Sequence, residues 1–203
     1  MRKKLKIIIQ ITAVIFIILF VSAANFSCNV NNTSNFSGAS NAPSLSDNSS
    51  NPTQIEEKVA EGYMAPDISI DLLSGETVKL SDYRGKAVLL NFWASWCPPC
   101  VGEMPDIQKL SEAYPDDLVV IGVNCGEKKN TVDDFIKKNS YTFNIGIDEN
   151  LKLQEKYPST GIPYTVIIDP DGIVTAIQLG VDPKRDMYSV YEEYIKSALD
   201  YKQ

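Results

Sequence analysis

The 203-residue chain has no histidine. That absence removes zinc sites that use His, copper delivery through a Cys–His set, and c-type haem attachment, which needs His directly after the second Cys of a CxxC pair. Here Val101 follows Cys100. Cysteine is scarce as well: of the four, Cys28 and Cys125 stand alone in sequence and Cys97 and Cys100 are neighbours. No metal site and no other cofactor is expected. Positive charge is outnumbered, 19 basic residues against 26 acidic ones. Four of the basic and one of the acidic residues precede position 55, so 15 against 25 remain, a formal charge of −10 for 55–203. Such a surface argues against nucleic acid as a partner.

Long apolar runs are also few, and the one present is N-terminal. Arg2, Lys3, Lys4 and Lys6 precede Ile7–Ala24, interrupted by Gln10, Thr12 and Ser22. Residues 1–24 are read as an N-terminal membrane anchor or signal segment. The basic flank keeps the N-terminus in the cytoplasm and sends the rest to the extracytoplasmic face of a bacterial cell membrane. Ser22-Ala23-Ala24 suits signal cleavage. Asn25-Phe26-Ser27-Cys28 resembles a lipobox with Asn in the place of Leu, which makes Cys28 a candidate for lipidation. Uncleaved anchor, lipoprotein and released protein stay open. Residues 25–54, rich in Asn and Ser, bury too little apolar surface to offset ordering entropy and read as a disordered linker. Residues 55–203 read as one domain.

Within that domain the informative stretch is Trp96-Cys97-Pro98-Pro99-Cys100. Ala87–Trp93 before it is a β-prone apolar run, short enough for a buried strand. Val101, Met104, Ile107, Leu110 and Ala113 after it recur at helical spacing. Cys97 thus falls at a helix N-terminus, where the helix dipole and unpaired N–H groups favour thiolate. Cys100 lies about one turn later, close enough to close a small disulfide ring. A purely structural bridge over so short a loop stabilises little, so the pattern points to thiol–disulfide exchange. A binding module with a structural CxxC is the reading from a different class.

The remaining pattern supplies the frame. Ile68, Ile70 and Leu72, then Ser74-Gly75, then Thr77–Leu80, predict a β-hairpin. Ser81–Gly85 reads as a polar turn, and Pro105 should kink the helix after Cys97. Leu118–Val123 reads as a strand, Thr131–Asn139 as a helix, Phe143–Ile147 as a short strand and Leu151–Tyr157 as a short helix. Tyr164–Ile168 and Ile173–Leu179 pair across Asp169-Pro170-Asp171-Gly172. A last helix is expected over Lys184–Tyr201, with Met187, Val190, Tyr191, Tyr194, Ile195 and Ala198 on one face. Strands alternating with helices, then a hairpin and a helix, give an α/β fold with a mixed central sheet flanked by helices and an N-terminal β-hairpin.

With these elements in place, Ala65-Pro66-Asp67, Leu80–Lys86, Leu90–Cys100, Glu103-Met104-Pro105, Gly122-Val123-Asn124, Gly161-Ile162-Pro163 and Ile168–Gly172 together resemble the thioredoxin fold. The likeness is to its TlpA/ResA-like thiol–disulfide oxidoreductases, with a redoxin or AhpC/TSA-type domain, over roughly residues 60–200. The resemblance implies that Cys97 attacks and Cys100 resolves the mixed disulfide. It implies that Pro163 is a cis-proline, that the backbone at Ile162 pairs with substrate, and that Trp96 gives a partner apolar contact. Glu103 resembles the active-site Glu of this group, able to raise thiol pKa values and to move a proton. The alternative for Glu103 is a solvated first-turn residue. Asn91 stands where thioredoxins proper have a buried Asp. Cys125 reads as a small core residue. The implied function is reduction of protein disulfides, with apocytochrome c cysteines as substrate and a membrane thiol protein as electron donor. A disulfide oxidase or isomerase is the enzyme alternative. Peroxidase chemistry fits less well, since Ala94 occupies the place of a peroxidatic-loop Thr.

Overall fold

The computed structural model describes residues 56–200. The segments 1–24 and 25–54, and Cys28, lie outside the described residues. No helix among those described is long and apolar enough to cross a membrane.

Alternating apolar residues build a hairpin from β1 (Ser69–Asp71) and β2 (Thr77–Lys79), paired antiparallel with Ile70 opposite Val78. The expected turn after it winds into a 3₁₀ helix, Leu80–Tyr83. The Asp82 carboxylate drives that winding by accepting the Lys79 N–H at 2.8 Å. β3 (Ala87–Trp93) follows, then α1 (Pro98–Ala113), β4 (Leu118–Cys125), α2 (Lys129–Asn139), β5 (Asn144–Asp148) and α3 (Lys152–Lys156). β6 (Tyr164–Ile168), β7 (Val174–Leu179) and α4 (Met187–Asp200) complete the chain. α1 continues past Pro105 to Ala113. α4 starts three residues later than the expected Lys184, because the Asp186 carboxylate caps it, accepting the Ser189 N–H at 3.1 Å.

The five-stranded sheet has the order β5-β4-β3-β6-β7. β3, β4 and β5 run parallel, whereas β6 is antiparallel to both β3 and β7. All seven residues of β3 are buried, as expected for a central strand covered on both sides. Its side chains alternate between two cores. Leu89 and Trp93 face α1, α2 and α4, whereas Val88, Leu90 and Phe92 face the hairpin, the 3₁₀ turn and Tyr157. The hairpin sits so close to β5 that a Cβ at Gly146 would lie 2.5 Å from Ile70 Cγ2. A side chain there would force the two apart. This is the mixed α/β sheet with an N-terminal hairpin that the sequence pattern implied, a thioredoxin-like fold.

Candidate active site

The site forms where β3 ends and α1 begins. β3 stops at Trp93, and Ala94-Ser95-Trp96 turn the chain so that Cys97 becomes the N-cap of α1, with φ −96° and ψ 102°. Its Sγ accepts the Cys100 N–H at 3.3 Å. Pro98 and Pro99 occupy the first helical positions, where a missing N–H costs nothing. Cys97 and Cys100 are joined by a disulfide with S–S 2.04 Å and Cα–Cα 5.3 Å. Cys97 is 4 % exposed and Cys100 fully buried, whereas Trp96 beside them is 67 % exposed.

The β6 entry packs against this dithiol. The Ile162–Pro163 peptide bond is cis. The Ile162 carbonyl oxygen lies 3.8 Å from Cys97 Sγ, placed to accept from that sulfur once it carries a hydrogen. Five of the sequence-derived residues therefore lie at this junction: Cys97 at the N-cap of α1, Cys100 and Glu103 within its first turns, and Ile162 and Pro163 at the β6 entry against Cys97, with Trp96 at the rim.

For Glu103 the structure sets aside the alternative reading and not the main one. It is not a solvated helix residue: it is 2 % exposed, one turn beyond Cys100, and turned toward the sheet. Two donors hold its carboxylate, Asn91 Nδ2 at 2.7 Å on Oε1 and the Tyr191 hydroxyl at 2.9 Å on Oε2. Asn91 Nδ2 also donates to Thr165 Oγ1 at 2.9 Å, and the Thr165 and Tyr191 hydroxyls lie 3.2 Å apart. Burial pushes the Glu103 carboxyl up to about 7, with Tyr191 and Asn91 opposing that rise and the Asp106 charge adding to it. A carboxyl poised near neutrality one helical turn from Cys100 can both take and return a proton.

A second carboxylate braces the turn that carries Cys97. Glu127 accepts from the Ser95 N–H at 2.7 Å, from the Ser95 hydroxyl, and from Asn124 Nδ2 at 2.7 Å. Cys125, 5 % exposed, lies in the other core. Burial first, and then the nearby Asp148 and Glu127 charges, push its thiol up to about 12.

Sequence reasoning did not find Thr165, Tyr191 or Glu127 as parts of this site. A signal existed for Thr165. Asn91 and Thr165 interrupt apolar strands, and a polar side chain inside a fully buried strand requires a partner. They are opposite each other in the β3–β6 register.

Residues 62–177 match the AhpC/TSA family. The chain is 40 % identical over 135 residues to the thioredoxin-like protein YneN of Bacillus subtilis, covering 65 % of this chain and 79 % of that one. It is 41 % identical over 130 residues to the thiol-disulfide oxidoreductase ResA of Geobacillus kaustophilus, covering 64 % and 75 %. Among solved structures, a provisionally named thiol:disulfide interchange protein DsbE of Chlorobium tepidum superposes with a TM-score of 0.64 at 30 % identity, over 70 % of this chain and 99 % of that one. The Cys97–Cys100 pair at a helix N-cap gives this likeness its chemistry, which is exchange between a dithiol and a disulfide. The chain belongs to the AhpC/TSA family, among its ResA-like thiol-disulfide oxidoreductases.

Proposed function

We propose that the protein is a membrane-tethered reductase of protein disulfides on the extracytoplasmic side of a bacterial cell membrane. The observation that carries the reductive direction is the burial of Glu103 one turn from Cys100. A dithiol protein becomes a strong oxidant when its reduced, thiolate form is stabilised. A neighbouring carboxylate does the reverse, because like charge opposes thiolate formation. Glu103 therefore favours the low end of a range running from roughly −270 to −120 mV among related folds. The basic flank and apolar run of residues 2–24 support the tether and its orientation.

In the proposed cycle the Cys97 thiolate attacks one substrate sulfur, forms a mixed disulfide and expels the other substrate sulfur as thiolate. Cys100 passes its proton to the Glu103 carboxylate and attacks Cys97 Sγ, which breaks the mixed disulfide and expels the remaining substrate sulfur as thiolate. The enzyme is left as the disulfide described above. The substrate gains two electrons from the dithiol, and its two thiolates become thiols by taking up one proton returned from Glu103 and one from solvent, which received the Cys97 proton on ionisation. An extended substrate strand lies along the Ile162 backbone beside Pro163, and Trp96 covers it. The resemblance drawn from the sequence makes apocytochrome c cysteines the proposed substrate and a membrane thiol protein the donor that reduces the enzyme again.

The test is labelling of the full chain in intact cells with a membrane-impermeant maleimide, mapped to Cys97 by mass spectrometry. Labelling without added reductant is expected for an external protein held reduced. Labelling that requires dithiothreitol first would make the protein an oxidant. No labelling even then would place the dithiol inside.

A further inference from the structure

We propose that Tyr191 is a positioning residue for disulfide exchange, closing with Asn91 and Thr165 a buried ring of hydrogen bonds that orients Glu103 to take the Cys100 proton. This rests on the reading of Glu103 as that proton's acceptor.

The hydrogens around the ring can be assigned by counting. Asn91 has two amide hydrogens, and both are used, one on Glu103 Oε1 and one on Thr165 Oγ1. The Tyr191 hydrogen is committed to Glu103 Oε2. The 3.2 Å contact between the two hydroxyls must therefore be donated by Thr165. One path then runs directly from Asn91 to the carboxylate, and another runs through Thr165 and Tyr191. Both deliver hydrogens to it, and each bond polarises the next. Each carboxylate oxygen keeps a lone pair outside the ring. A proton arriving from Cys100 can settle there without dismantling the ring.

Tyr191 is the member that only the C-terminal helix supplies. Asn91 and Thr165 sit opposite each other on the sheet, and Glu103 stands on α1. The phenol of α4 joins the two layers. Without it Oε2 would lose its donor, Asn91 alone would oppose the effect of burial, and the carboxyl would hold its proton to a higher pH. The other charges near Glu103 are Asp106 on its own helix, and Asp182, Arg185 and Asp186 on the segment leading into α4. They line a cleft of about 250 Å³ that Glu103 also touches. This cleft gives the proton its way to solvent. The Tyr191 hydroxyl itself is held un-ionised, first by burial and then by the Glu103 charge.

Tyr191→Phe removes the hydroxyl and keeps the ring that packs in the core. The measurement is the pH dependence of mixed-disulfide resolution, with the full chain in detergent and a chromogenic aryl disulfide as probe. The midpoint for the resolving step should rise by about one pH unit in Tyr191→Phe, the worth of one hydrogen bond to a charged acceptor. In Glu103→Gln that midpoint should vanish, and adding Tyr191→Phe should change nothing further. If Glu103→Gln alters the profile and Tyr191→Phe does not, Tyr191 is only a packing residue. A shift by Tyr191→Phe that persists in the Glu103→Gln background also overturns the proposal. An unaltered profile in Glu103→Gln overturns the reading of Glu103 itself.

Discussion

Glu127 holds Ser95 by both its backbone and its side chain, and Ser95 lies two residues ahead of the attacking sulfur. The carboxylate accepts the Ser95 N–H at 2.7 Å and the Ser95 hydroxyl as well. The same carboxylate takes Asn124 Nδ2 from the end of β4. The turn that aims Cys97 is thereby fastened to a different strand from the one it leaves.

Removing that fastening should cost stability. Glu127→Ala leaves the Ser95 N–H and the buried Asn124 amide without acceptors, each worth roughly 1–3 kcal/mol when unmade. A loss of about 2 kcal/mol is expected in urea unfolding, with Ser95→Ala losing about half as much. A loss below about 0.5 kcal/mol for Glu127→Ala would mean that water replaces the carboxylate at no cost.

Glu103 should make the oxidised protein less stable as pH rises. Its carboxyl moves from 4.5 to about 7 on folding, so between those values the folded state binds the extra proton. The contribution is fully present below the unfolded value and is lost as pH climbs through about 7. It amounts to about 3 kcal/mol. Glu103→Gln should flatten this fall and be the more stable protein at pH 8. Parallel unfolding curves for the two proteins from pH 4 to 8 would show that burial does not raise this carboxyl.

Cys125 should be a bystander. With its thiol pushed up to about 12, its thiolate fraction at pH 8 is about a thousandfold below that of an ordinary thiol. Iodoacetamide should therefore leave Cys125 unmodified in the native protein and modify it in urea. Cys125→Ala should retain exchange activity. Rapid native alkylation would reveal an opening that the folded state does not have.

Much of this architecture could be read from local pattern. The fully apolar β3, the CxxC at its end and the alternating hairpin each carry their cause within a few residues. Element ends slipped where a side chain acts at a distance of three: Asp186 delays α4, and Asp82 turns Leu80–Tyr83 into a 3₁₀ helix. The ring on Glu103 was hidden for another reason. Its bonds join positions 12, 74, 26 and 88 residues apart, and no window along the chain contains them. Tyr191 therefore looked like one more apolar position on α4. Asn91 looked like a missing acid rather than the donor that secures one.

The alternation of β3 between two cores gives the molecule an internal bulkhead. The disulfide belongs to one side of the sheet and Cys125 to the other. A wall of packed backbone and aliphatic side chains separates the working sulfurs from the Cys125 sulfur. The dithiol can open and close through many cycles without that sulfur entering the exchange, so scrambling with Cys125 is prevented by compartment rather than by its omission.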